Sequence, residues 1–167
     1  GYSIISTDII ATTGWTTAEL MSGIASVNPD SSYQLVSLLI GVNNQYRGYD
    51  FEIYEEELVE LVDHAIALAD NDISRVFMVS IPNYGVTPFG QSRGEDKIRQ
   101  ELQQYDAYAN QIANQYGIPF FNITPISEKA KDDESYIAND RLHPSGKMYT
   151  EWVELMLDDV KILLDGQ

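Results

Sequence analysis

The sequence contains no cysteine, only two histidines and few basic side chains. Without cysteine, the chain can form no disulfide framework, no thiolate metal site and no cysteine nucleophile. Its 10 basic residues face 26 acidic ones, for a formal net charge of −16. Such a charge would repel DNA or an anionic membrane surface. Because no apolar run approaches the ~20 residues of a transmembrane helix, the sequence also argues against a membrane span.

The remaining composition is that of a globular domain. The chain has 167 residues, 44% of them hydrophobic, which suits one domain over residues 1–167 with a substantial core. No linker, internal repeat or low-complexity tract divides it. We therefore expect a single compact unit.

Strand-like and helix-like segments alternate along the chain. Apolar and β-branched runs predict strands over residues 3–11, 33–40, 75–81 and 119–123. Periodic apolar positions predict helices over residues 16–26, 51–69, 95–115 and 147–164. Their expected caps are a Thr16–Glu19 capping box on the first helix, Gly117 at the end of the third and Ser145 at the start of the last. Residues 83–94 are predicted to form a loop, and residues 124–139 to be irregular or weakly helical. This alternation predicts βαβ units and a parallel sheet, the α/β class.

Chemistry-bearing residues follow the predicted strand ends. Gly14, Asn43, Tyr84 and His143 each come at or just after such an end. In open α/β sheets the ligand crevice lies beyond the carboxyl ends of the strands. We therefore expect these four segments to meet at one edge of the sheet.

The segment Asp140-Arg141-Leu142-His143-Pro144 combines a histidine with a nearby carboxylate. A histidine can exchange protons near neutral pH, and a carboxylate partner orients it and steadies its charged form. Pro144 restricts His143 to extended conformations, and a helix is predicted just beyond. The spacing favours a general base, although a loop aspartate that caps a turn would have the same spacing.

Taken in order, Gly14, the segment Gly41-Val42-Asn43-Asn44 and the Asp140–His143 pair resemble the SGNH (GDSL-type) hydrolase family. The resemblance implies a three-layer α/β/α, flavodoxin-like fold. It also implies an esterase, lipase or thioesterase that works through a serine nucleophile and an acyl-enzyme, with no cofactor and no metal. The substrate would be a small-molecule, lipid or sugar ester.

The resemblance assigns a role to four residues. His143 would be the general base and Asp140 would orient it. The side-chain amide of Asn43 and the backbone N–H of Gly14 would donate hydrogen bonds to the oxyanion. Neutral, fixed donors of this kind suit the charge that develops on the carbonyl oxygen.

The sequence departs from the family pattern at two places. Asn44 stands where the family usually has aspartate, and the Gly-Asp-Ser block with the nucleophile is absent. Ser3, Ser80 and Ser145 lie in positions unsuited to replace it. We expect a segment of roughly 30 residues before Gly1 that holds the first strand, the serine loop and the first helix. The alternative is a ligand-binding domain of the same fold that has lost its nucleophile; a response-regulator-like or flavin-binding domain would leave Asn43 and the Asp–His pair without a role.

Several other side chains allow two interpretations. Aromatic residues after Asn43 and around Tyr84 either wall an acyl or alcohol pocket or pack loops onto the sheet: Tyr46, Tyr49, Phe51, Tyr84 and Phe89. Arg47 and Arg93 either meet an anionic substrate or form ion pairs, and the excess of acid favours ion pairs. The acidic residues Asp132, Asp133 and Glu134 lack the spacing of a calcium loop, and His64 is predicted to be an ordinary helical histidine.

Overall fold

The computed structural model describes residues 6–30 and 32–166 and has an α/β architecture built on a parallel sheet. The three strands, in the spatial order β1-β2-β3, are β1 Val36–Leu38, β2 Val76–Val79 and β3 Phe120–Phe121. The helices are α1 Thr17–Val27, α2 Val42–Arg47, α3 Phe51–Leu68, α4 Pro88–Gln91, α5 Glu95–Tyr116, α6 Thr124–Ser127 and α7 Gly146–Asp165. Short 3₁₀ turns span Ile73–Arg75, Tyr84–Val86, Glu128–Lys131 and Glu134–Tyr136.

Alternate residues of β2 point into two different cores, which makes the fold three-layered. Val76 and Met78 pack into the larger core with α1, α3 and α5. Val79 packs on the opposite side, against a second cluster that includes Trp152 of α7. Because side chains alternate across a strand, one short buried strand supplies both layers. The α/β/α fold that the sequence predicts is therefore confirmed.

The long helices match the sequence prediction closely. Along α3 and its C-cap residue Ala69, a stripe of apolar side chains is almost fully buried: Leu58, Leu61, Val62, Ala65 and Ala69. Each such leucine contributes about 2 kcal/mol by leaving water. The predicted capping box of α1 is also present, with Thr16 and Glu19 bonded to each other in both directions. Gly117 ends α5 in the left-handed conformation, with φ of +73°.

The prediction of a strand over residues 3–11 is wrong for its described part. Residues 6–11 form no strand, and Ile9 is 84% exposed; residues 3–5 lie outside the described residues. No described strand runs beside this segment, so its backbone N–H and C=O groups have no neighbouring strand with which to form hydrogen bonds. The propensity of β-branched residues for strands depends on packing in a sheet, which is missing here.

The other strands form, but they are shorter than predicted. The apolar run at 33–40 contributes only Val36–Leu38, and Leu39 is 40% exposed. Within the described residues, β1 pairs only with β2, so its outer edge is open.

The segments predicted as loops contain regular turns of helix. Residues 83–94 include a 3₁₀ turn and α4, because Thr87 caps a helix that starts with Pro88. Residues 42–47 form α2, which lies between two left-handed glycines, Gly41 and Gly48. Among the described helices, none combines the length and the apolarity that a membrane span requires.

Candidate active site

The structure joins His143 directly to Asp140. The carboxylate oxygen Oδ2 lies 2.6 Å from Nδ1 of the imidazole, while Oδ1 accepts the backbone N–H groups of Leu142 and His143 at 3.0 and 2.9 Å. These hydrogen bonds, led by the one from the His143 backbone, lower the pKa of Asp140 to about 2. An ionised carboxylate only accepts hydrogen bonds, so Nδ1 carries the proton in this pair. Nε2 has no partner among the described residues and is the nitrogen that can take up a proton.

Backbone contacts on both sides hold this pair in place. Pro144 forms an antiparallel bridge with Ile137, and Ala138 donates its N–H to the His143 carbonyl at 2.8 Å. Ser145 then caps α7, as predicted, by accepting the N–H of Met148. The imidazole is thus fixed at the entrance of a 20-residue helix, yet its side chain stays 55% exposed. A general base that must reach a substrate needs this access.

A second group of contacts brings Gly14 and Asn43 together. The Nδ2 amide of Asn43 donates to the carbonyl of Trp15 at 2.9 Å, and Arg47 donates from Nη2 to the carbonyl of Gly14 at 2.6 Å. A side-chain amide has two N–H groups, so the second of Asn43 is left to donate to a ligand. Gly14 has φ of +91°, and no described residue accepts its N–H.

Buried polar contacts anchor this loop to the fold. Asn44 is fully buried; its Oδ1 accepts the N–H of Thr17 at 3.0 Å and its Nδ2 donates to the Thr17 hydroxyl at 2.6 Å. The residue at the departure from the family pattern therefore ties α2 to α1. Gly41 approaches Tyr54 so closely that an added Cβ would lie 2.6 Å from its ring. Both contacts fix the start of α2 and with it Asn43.

Contacts connect three of the four segments that the sequence predicts to converge. Trp15 contacts Asn43, and Tyr84 donates its hydroxyl to Gln45 of α2 at 2.8 Å. The fourth segment makes no hydrogen bond to Gly14 or Asn43. It packs instead through Tyr136 and Ile137 into the second core, which also holds Val86 from the Tyr84 loop. The Asp140–His143 segment and the Gly14–Asn43 group thus make separate sets of contacts, and the Tyr84 loop lies against both.

Of the three serines considered from the sequence, the structure describes Ser80 and Ser145, and neither is free to act as a nucleophile. Ser80 is 1% exposed and donates and accepts in a network with Asn122 and Thr124. Ser145 donates its hydroxyl to the Ser135 carbonyl at 2.7 Å while it caps α7. Ser3 lies outside the described residues. His64 is exposed on α3, as predicted.

A cavity of about 500 Å³ opens beside α2, and the sequence did not predict its full lining. Tyr46, Tyr49, Phe51 and Tyr84 line it, as one of the two interpretations proposed, and Phe89 packs on the Tyr46 ring at 6.1 Å. The lining residues that the sequence did not indicate include Gln45, Lys97, Glu101 and Tyr105. Gln45 bridges Tyr84 and Glu101, at 2.8 and 2.7 Å.

Residues 3–150 match the GDSL-like Lipase/Acylhydrolase family. The chain belongs to this family. The assignment agrees with the resemblance drawn from Gly14, Asn43 and the Asp140–His143 pair. Members of the GDSL-like family are ester hydrolases, and the chain therefore belongs to this broad class of enzymes.

Solved structures with the same fold include esterases and another hydrolase. An acetylxylan esterase from Geobacillus stearothermophilus is similar at a TM-score of 0.62 and 23% identity, over 88% of this chain and 68% of that one. An alpha/beta hydrolase enzyme from the metagenome of Lake Arreo, Spain, has a TM-score of 0.63 and 19% identity, over 90% and 70%. A psychrotrophic esterase from a Pseudoalteromonas species has a TM-score of 0.57 and 19% identity, over 91% and 74%. No curated protein sequence matches significantly.

Proposed function

We propose that this protein is a serine carboxylic ester hydrolase in which His143 is the general base. The observation that carries the proposal is the Asp140–His143 pair, with the carboxylate 2.6 Å from Nδ1 and Nε2 without a partner among the described residues. In such a site, the serine hydroxyl attacks the ester carbonyl carbon while Nε2 takes its proton. The imidazolium then returns that proton to the departing alcohol. Water, deprotonated by the same nitrogen, hydrolyses the acyl-enzyme and restores the serine.

In this proposal, Gly14 and Asn43 stabilise the tetrahedral intermediate. The N–H of Gly14 and the second amide hydrogen of Asn43 are the available donors, and Arg47 and Trp15 hold both groups in place. Losing one donor of this kind typically costs ~3 kcal/mol of transition-state stabilisation. We assign Asn43 and Gly14 to the oxyanion site on this basis.

We further propose that the serine comes from a segment that precedes Gly1 and completes the domain. The open outer edge of β1 supports this, because a parallel strand there would pair its unpaired backbone groups. The last helix supports it too, since α7 exposes a set of large apolar side chains: Tyr149, Val153, Leu155, Leu157 and Ile162. A strand paired with the β1 edge and a helix packed on α7 would cover these two surfaces. Residues 1–167 would then be most of one domain.

The test is the change His143→Ala in the full-length protein, with His64→Ala as the matched control. We expect His143→Ala to lower kcat for p-nitrophenyl acetate by at least about 10³-fold, and His64→Ala to leave it unchanged. Circular dichroism should show both variants folded, because the His143 side chain is exposed. Unchanged turnover in His143→Ala would refute the assignment of the base.

The location of the nucleophile has its own test. A fluorophosphonate probe should label one serine of the full-length protein, and peptide mapping should place it before Gly1. Labelling of Ser80 or Ser145 would contradict the proposal. The alternative function, a ligand-binding domain of the same fold, is favoured by the absence of Gly-Asp-Ser from these 167 residues. A folded full-length protein with neither labelling nor turnover would support that alternative.

A further inference from the structure

The cavity beside α2 is lined by more basic than acidic side chains, although the protein as a whole is strongly acidic. Its lining includes three of the chain's 10 basic residues but only one of its 26 acidic residues. The three basic residues are Arg47, Arg93 and Lys97, and the acid is Glu101. A net charge of −16 would repel an anionic ligand from most of the surface, so a local reversal of charge is a specific feature of this cavity.

Two of the three cations have partners inside the protein. Arg47 pairs with Glu19 at 3.2 Å and also donates to the Gly14 carbonyl. Lys97 lies 3.6 Å from Glu101, a loose pair in which the lysine side chain is 76% exposed. The same Glu101 accepts a shorter hydrogen bond from Gln45, at 2.7 Å. Arg47 and Lys97 are thus each paired with a carboxylate, and the third cation of the lining is Arg93.

Arg93 has no carboxylate within ion-pair distance among the described residues. Its guanidinium carbon lies 4.4 Å from the ring centre of Phe89 and 5.1 Å from that of Tyr46. Cation–π contacts occupy the flat face of a guanidinium and leave its N–H edge open. The prediction that the excess of acid would pair this arginine is not met. A stacked guanidinium is held in place, so it loses little entropy when it binds a partner.

We propose that Arg93 binds a carboxylate group on the ester substrate, as found on a sugar acid; this rests on the proposed hydrolase function. A guanidinium edge fits a carboxylate with two parallel hydrogen bonds, and Lys97 adds a second positive charge nearby. The rings of Tyr46, Tyr49 and Tyr84 supply apolar walls with hydroxyl tips, which suit a ring that has both apolar faces and hydroxyl groups.

The position of the cavity connects this site to the proposed reaction. Arg47 lines the cavity and donates to the Gly14 carbonyl at 2.6 Å. Asn43 and Tyr46 are three residues apart on α2, so one turn of helix joins the proposed oxyanion donor to the cavity wall. A substrate bound at Arg93 could thus extend along α2 toward the ester-binding groups.

The experiment compares two probes that differ in one group. The binding of methyl β-D-glucuronoside and methyl β-D-glucoside to the full-length protein is measured by NMR titration at low salt. We expect the glucuronoside to bind about 10-fold more tightly, as a charge-assisted hydrogen bond allows. Arg93→Gln should bring this ratio close to one, and Arg93→Lys, which keeps the charge but loses the fork, should leave an intermediate ratio. Lys161→Gln removes one positive charge on α7, outside the cavity, and should leave the ratio unchanged.

Each other result overturns the proposal. Equal binding of the two probes, an unchanged ratio in Arg93→Gln, or an equal loss in Lys161→Gln would show that Arg93 does not select a carboxylate. The measurement needs no turnover, so it is independent of the proposed reaction. Carboxylate selectivity that persists in an inactive His143→Ala variant would support the site, whereas full loss of turnover with no selectivity would leave only the proposed function standing.

Discussion

Asp106 offers a test of how this fold tolerates a carboxylate between its layers. The residue lies on α5; its Oδ1 accepts the N–H of Ile81 at 2.8 Å and its Oδ2 accepts the Thr124 hydroxyl at 3.1 Å. Burial raises the pKa of Asp106 from 3.8 to about 6, in spite of these two hydrogen bonds. The folded protein therefore prefers the neutral acid, and its stability depends on pH.

The direction of this dependence follows from proton binding. Below the pKa of the unfolded chain, both states carry the proton on Asp106. As the pH rises toward about 6, the unfolded chain releases this proton while the folded protein keeps it, so the free energy of unfolding falls. Above that pH the loss is complete. A gap of about two pH units corresponds to ~3 kcal/mol, and we expect about 2 kcal/mol because Asp106 is only partly buried.

The change Asp106→Asn should remove this loss. An asparagine cannot ionise, and its oxygen can still accept from Ile81. Its amide can donate to the Thr124 hydroxyl, whose single proton is then available to the Ile81 carbonyl 3.0 Å away. Relative to the unmodified protein, the variant should gain about 2 kcal/mol between about pH 4 and about pH 7.5. At the higher pH this is a rise in Tm of roughly 4–8 °C for a chain of this size.

Chemical unfolding at several pH values measures this difference. The control is Asp158→Asn, which also removes one negative charge, from a side chain that is 92% exposed. This control should show little pH-dependent gain, so it separates the effect at Asp106 from the general relief of negative charge. A difference between Asp106→Asn and the unmodified protein that stays constant from acid to neutral pH would refute the reasoning. So would an equal gain in the Asp158→Asn control.

Four further changes test the site and its supports. Asp140→Asn in the full-length protein should lower kcat by up to about 10⁴-fold with unchanged folding, because an amide no longer fixes the required tautomer; normal turnover would contradict the role of Asp140. Asn44→Ala should lower the free energy of unfolding by about 2 kcal/mol, since it leaves the buried N–H of Thr17 unpaired, and urea unfolding checks this. Gly23→Ala would put a Cβ 2.3 Å from the Trp15 ring, so it should lower both Tm and turnover, whereas an unchanged Tm would mean that Trp15 moves freely. Thr16→Ala should cost about 1 kcal/mol through the lost capping box, and a stability equal to that of the unmodified protein would argue against it.

Features that depend on nearby residues were predictable from the sequence. The caps of α1, α5 and α7 and the buried stripe of α3 follow from side chains within one or two turns of each other. The Asp140–His143 pair is of the same kind, because three residues of tight loop bring the two side chains together. The expected roles of Gly14 and Asn43 came only from the resemblance to the GDSL-like family, and the family match agrees with that resemblance.

Features that depend on distant residues required the tertiary structure. Residues 6–11 have a strand-like sequence but form no strand, because a strand exists only through its neighbours in a sheet. The contacts of Arg93 could not be predicted from the sequence either. The overall excess of acid predicted an ion pair, but in the folded protein aromatic rings lie against the guanidinium instead. The sequence by itself thus determined the local elements and the Asp140–His143 pair. The tertiary structure decided which strands pair, which side chains surround Arg93 and which cavity opens beside α2, since each of these depends on packing between segments far apart in the chain.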